Sequence, residues 1–154
     1  MATTAQNNLV GKKSDRLFYP IDNSGSHDIN AGDLVWYDTS VHYIKSLDSD
    51  AHGAYVAGVA QDTSYLNVYG TKEYSPLLGV YVGQIHALNT TGSDTYYTGT
   101  PVYYGADAQT ITAVAGTNIL GYVMLRPGQA SVAGGSGVTV DVLVIPLYPT
   151  SAVA

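Results

Sequence analysis

The 154-residue chain is 45% hydrophobic but only 12% charged, and its formal net charge is −6. A chain of this length, as one domain or two very small ones, buries roughly 70% of its unfolded surface. Its six basic residues barely supply the cation cluster that phosphate neutralisation requires, which argues against general nucleic-acid binding. The acids are Asp at every position except Glu73, and fourteen Tyr stand against one Phe; this composition suits strands rather than helix surfaces.

No segment approaches 18 consecutive apolar residues, and the longest apolar run, Val142 to Tyr148, contains Pro146, so no helical membrane span is expected. Gln6-Asn7-Asn8 occupies the place where a secretory signal would carry its apolar stretch. Zero cysteines removes disulfides, thiolate metal sites and Cys nucleophiles together.

In chain order, residues 1–29 read as an extended N-terminal arm. It holds Lys12, Lys13 and Arg16, three of the six basic residues, and one apolar cluster, Leu17-Phe18-Tyr19, before Pro20 and the turn-like Asn23-Ser24-Gly25-Ser26. Residues 30–154 read as a single β domain. Gly32-Asp33 opens Leu34-Val35-Trp36-Tyr37, Asp38-Thr39-Ser40 turns, Tyr43-Ile44-Lys45 returns, and Tyr55 to Ala60 follows a polar loop over Asp48 to Gly53.

A related order recurs at Gly99 to Tyr104, Gln109 to Thr112 and Asn118 to Val123, and each copy is followed by a further strand candidate, Leu77 to Ala87 and Val138 to Leu147. Gly32 and Gly99 lie 67 residues apart, Gly58 and Gly121 63 apart, as expected for a duplication whose second copy has a shorter internal loop. The expected fold is therefore all-β: a small barrel or sandwich built from two merged pseudo-repeats, at about 30–87 and 97–148.

The search for chemistry yields little. Gly134-Gly135-Ser136-Gly137 lacks the spacing of a nucleophile elbow, no Walker-type loop is present, and the glycine stretch Gly128 to Gly137 is not followed by Lys-Ser or Lys-Thr as phosphate binding requires. His27, His42, His52 and His86 are scattered, whereas zinc needs three or four convergent ligands. Asp48-Ser49-Asp50-Ala51-His52-Gly53 copies the opening of a calcium loop but has no closing Glu. Asp33, Asp38, Asp48, Asp62 and Asp107 read as turn formers. No cofactor, metal, catalytic residue or small-molecule substrate is expected. The aromatic doublets Trp36-Tyr37, Tyr96-Tyr97 and Tyr103-Tyr104 place neighbouring rings on opposite sheet faces, which leaves Trp36, Tyr37, Tyr103 and Tyr104 as candidates for an inter-subunit or partner surface. Stacking on a sugar is the alternative use of such rings.

The succession Gly32 to Ser40, Tyr43-Ile44-Lys45, Ala54 to Ala60, Gln61-Asp62-Thr63-Ser64 and Gly79 to Ile85 resembles the head-decoration proteins of tailed bacteriophages of the lambda type. The likeness lies in the order of elements: in that family an arm precedes a strand ending in Asp-Thr-Ser, a return strand, an Ala-x-Gly-Val/Ile-x-Ala strand and a closing strand. It covers about a third of the chain, and the second copy lacks Asp-Thr-Ser. The resemblance implies a non-enzymatic cement protein on the outer surface of the virion capsid, made in the host cytoplasm. Its partners would be the major capsid protein and, as a homotrimer, its own copies, with no nucleic acid or membrane involved. The arm would dock through Lys12, Lys13, Arg16, Leu17, Phe18 and Tyr19. The alternative is a carbohydrate- or receptor-binding β domain of a tail or fibre, with Trp36, Tyr96, Tyr97, Tyr103 and Tyr104 as the stacking surface.

Overall fold

Short runs of β-branched and aromatic residues, cut by Gly, Asp and Ser, leave this chain strands and turns to build with. The computed structural model describes residues 16–22 and 28–146, and the all-β expectation holds throughout them. The first module comprises β1 (Arg16–Pro20), β2 (Leu34–Asp38), β3 (Tyr43–Ser46), a 3₁₀ turn at Ala51–Tyr55, β4 (Val56–Ala60), a hairpin of β5 (Tyr65–Val68) and β6 (Thr71–Tyr74), and β7 (Leu77–Tyr81). The second comprises β8 (Ile85–Thr90), β9 (Thr95–Tyr96), β10 (Pro101–Tyr104), β11 (Thr110–Thr112), β12 (Gly121–Val123), β13 (Val132–Ala133) and β14 (Thr139–Val144).

Five strands of each module repeat one topology, while the β5–β6 hairpin and the β9–β13 pair stand outside it. The first sheet runs β1-β7-β4-β2-β3, and the second module is a closed barrel in which β8, β14, β12, β10 and β11 follow one another in the corresponding order. The registers coincide. Val35 faces Gly58 as Val102 faces Gly121, Tyr37 faces Ile44 as Tyr104 faces Ile111, and Tyr19 faces Leu78 as Leu88 faces Val140. The second barrel closes through the parallel pair β8 and β11, including Thr90 with Ile111. At the same place the first module has a single parallel bridge, Ile21 with Ile44.

This arrangement moves two boundaries. Leu77 to Ala87 is not one strand: the chain breaks at Val82-Gly83-Gln84, where Gly83 has φ +71°, and β8 opens the second copy. The first copy begins at β1, so Arg16–Pro20 is a sheet strand paired along its length with β7 and not part of an arm reaching to residue 29. Its contribution to the core explains why: Tyr19 and Ile21 are buried, and an apolar side chain of that size gains about 1.5–3 kcal/mol from burial. The hairpin β5–β6 was not foreseen. Tyr69 and Gly70 form its turn at φ +50° and +81°, the conformation of a two-residue hairpin loop usually occupied by Asn-Gly.

Two clusters form the core. Tyr19, Ile21, Ile29, Val35, Ile44, Ala57, Ala60, Leu78 and Val80 fill the first module. The second cluster fills the barrel and also takes in Leu34, Trp36, Leu47, Val56 and Val59 from the opposite face of the first sheet. The modules therefore share an apolar seam. Strand β4 serves both clusters because a register shift against Val35 and Trp36 places Val56 and Val59 on the seam side; a bulge of this kind inserts one residue and switches the facing of those beyond it.

Candidate functional site

The seam is tied by polar contacts as well as apolar ones. Asp33, expected only to shape a turn, is buried. It accepts hydrogen bonds from the Asn30 amide (2.9 Å), the Ser46 hydroxyl (2.7 Å) and, across the seam, the Gln109 side-chain amide (2.8 Å). The Leu34 amide donates to the Ala108 carbonyl at 2.7 Å. Asp50 accepts from the Thr117 and Asn118 amides at 2.6 and 3.3 Å, while Asn118 Nδ2 donates to the Asp50 carbonyl at 2.7 Å. Burial raises the Asp50 pKa, but these amides outweigh it and hold the carboxyl below its ordinary value.

At the mouth of the seam lies an open cleft of about 510 Å³, with Asp28, Asp33, Asp48 and Asp107 among its lining residues. Each carboxylate is already engaged. Asp28 binds Lys72 and the Tyr74 hydroxyl, Asp48 contacts His52 Nδ1 at 2.5 Å, and Asp107 accepts from the Gln109 amide at 2.8 Å. The calcium-like string is thereby divided: Asp48 turns to His52 and Asp50 to the second module. Among the described residues no three His, Asp or Glu side chains are grouped to hold a metal ion.

The aromatic candidates separate according to the seam. Trp36 is buried, stacked on His52 with ring centroids 3.9 Å apart, and so belongs to the inter-module core and not to a partner surface. Tyr37 is half-buried against Tyr19, centroids 5.9 Å apart. Tyr104 lines the cleft and donates to the Ala106 carbonyl at 3.2 Å, and Tyr103 is half-buried. In the third doublet Tyr96 is wholly buried and Tyr97 exposed, the alternation expected of a strand. The five rings named for sugar stacking therefore do not form one platform, since Trp36 and Tyr96 point into cores.

The candidate docking residues also divide. Lys12 and Lys13 lie outside the described residues. Tyr19 is buried, whereas Leu17 and Phe18 are exposed, Phe18 at 58%. Phe18 lies over Gly79, its register partner, and a Cβ there would be 3.4 Å from the ring. Arg16 is held over the Phe18 ring, 5.2 Å from its centroid, and donates to Gln61 at 3.1 Å. Exposed Leu77 faces Pro20 on the same strand pair. The outer surface of β1 and β7 is thus an apolar strip with one cation fixed at its end, on a strand reached directly from the lysine-bearing N-terminal segment. No family model and no curated protein sequence matches this chain.

Proposed function

We propose that this chain is a capsid decoration protein, which binds the outside of an expanded phage head and stabilises the shell against internal DNA pressure. The observation that carries the reading is the Phe18–Leu77 strip: large apolar side chains turned outward on a two-stranded surface, in a chain whose cleft carboxylates are all spent on internal contacts. Apolar side chains rimmed by polar ones are what a protein partner desolvates. The resemblance in element order supplies the identity of that partner, the major capsid protein.

Several linked copies would bind by avidity: once one docks, the others find their sites intramolecularly, so modest contacts per site give slow release. Shell subunits bridged in this way must break several contacts at once to separate. Incubation with expanded empty heads, followed by sedimentation, tests the reading. Saturable cosedimentation that is lost in Phe18→Ser and Leu77→Ser is expected. Absence of binding, with capture on a glycan array instead, would replace it by tail-type receptor recognition.

A further inference from the structure

Because the two modules superimpose in register, every seam residue of the first has a counterpart in the second. Leu34, Trp36, Leu47, Val56 and Val59 are each at most 6% exposed. Their counterparts, 67 residues on for Leu34, Trp36 and Leu47 and 63 on for Val56 and Val59, are Pro101, Tyr103, Val114, Ile119 and Tyr122. All five remain apolar or aromatic, yet none is fully buried: Pro101, Tyr103 and Ile119 are half-buried, and Val114 and Tyr122 are exposed. Val114, just beyond β11, is 66% exposed, and Tyr122 is 36% exposed on the outer side of β12, where an antiparallel sheet facing water normally carries polar residues.

The surface that receives the seam in the second module also has its counterpart in the first. Ala108, whose carbonyl takes the Leu34 amide, corresponds to Val41, and Asn118, which meets Asp50, corresponds to Tyr55. Both counterparts are larger apolar side chains and both face solvent, at 44% and 37%. One chain therefore displays an unused seam face at one end and an unused receiving face at the other.

We propose that the Tyr103–Val114–Tyr122 face of one copy docks on the Val41–Tyr55 end of a second copy, repeating between chains the seam that joins the modules within one chain. The contact is heterologous, so it generates a ring if the rotation closes and a filament if it does not. It does not depend on head binding: isolated protein reads it, while cosedimentation with heads reads the proposed function.

Sedimentation velocity of the full chain is the test. The wild-type chain is expected to exceed monomer mass in a concentration-dependent way. Val114→Asp with Tyr122→Asp, and separately Val41→Asp with Tyr55→Asp, should each sediment as monomers with unchanged circular dichroism. Mixed in equal amounts, the two variants should form a dimer that grows no further, since one supplies an intact face and the other an intact receiving end. As the chain has no cysteine, Val41→Cys and Val114→Cys chains joined by a short bis-maleimide give a second measurement free of charge insertion. A wild-type monomer at every concentration, or a Val41→Asp/Tyr55→Asp chain that still associates with itself, overturns the proposal, as does failure of the cysteine pair to cross-link.

Discussion

Gly58 and Gly121 occupy the same position in the two modules, each beneath a backbone carbonyl of the neighbouring strand. A Cβ on Gly58 would lie 2.0 Å from the Tyr81 oxygen, and one on Gly121 2.2 Å from the Leu143 oxygen. Backbone cannot yield as a flexible side chain can, so Gly58→Ala and Gly121→Ala should each cost about 1–3 kcal/mol, the range of overpacking. Gly58 should be the worse of the two, since its φ of +151° disfavours any side chain. Urea midpoints measure both; unchanged midpoints would mean that the strands separate freely there.

Asp50 links the modules through the Thr117 and Asn118 amides. Asp50→Ala leaves both donors without this partner and should destabilise the chain by about 1–3 kcal/mol. Urea midpoints measure the loss, and a midpoint equal to that of the wild-type chain would remove Asp50 from the seam.

Acid sensitivity should come in two windows. The Lys72 hydrogen bond, then that of Tyr74, lowers Asp28, while the Lys45 hydrogen bond, then that of Ser40, holds Asp38 well below the usual carboxylate range. Their stabilisation is present above the unfolded carboxylate value of about 4 and is lost as pH falls through the lowered folded values. His86 differs: burial lowers its pKa and its Nε2 has no hydrogen-bond partner, so the unfolded chain takes up a proton that the folded chain resists. Stability should therefore begin to fall below about pH 6.5. His86→Phe should flatten the upper window alone, and Asp38→Asn should shrink the lower, leaving the share of Asp28; identical pH profiles for wild type and His86→Phe would contradict the assignment.

Truncation separates β1 from the segment before it. Removing residues 1–15 leaves β1 in place and serves as the reference for the longer truncation. Removing residues 1–21 takes out Tyr19 and Ile21, both buried, and should cost more than about 4 kcal/mol, since single large-to-small core changes already cost 2–5. Phe18→Ser, in contrast, should stay within about 1 kcal/mol while affecting head binding. Equal melting curves for the two truncations would return β1 to the status of an arm.

Much of the architecture was legible because the duplication preserves what backbone geometry demands. The glycines at 58 and 121 mark the repeat in the sequence for the same reason that they are required in the fold: no side chain fits under the neighbouring carbonyl. The kinship of β1 and β8 was hidden, since Arg16-Leu17-Phe18-Tyr19-Pro20-Ile21 and Ile85-His86-Ala87-Leu88-Asn89-Thr90 share only inward positions of similar size, Tyr19 with Leu88 and Ile21 with Thr90. A strand needs only alternate residues to match its core, and two such positions leave little for the eye. Asp33 was equally hidden: a buried carboxylate that organises the seam has the same sequence surroundings as one that caps a turn.

The sequence by itself determined the all-β character, most of the principal strands and the two-fold repetition, because propensity and spacing are local properties. Only the tertiary structure decided which faces meet water. Trp36 and Tyr103 hold the same position in their modules, facing Lys45 and Thr112 respectively, yet Trp36 is sealed in the seam and Tyr103 is half-buried at an open face. Alternation along a strand assigns a side chain to one face or the other; what covers that face comes from residues far along the chain.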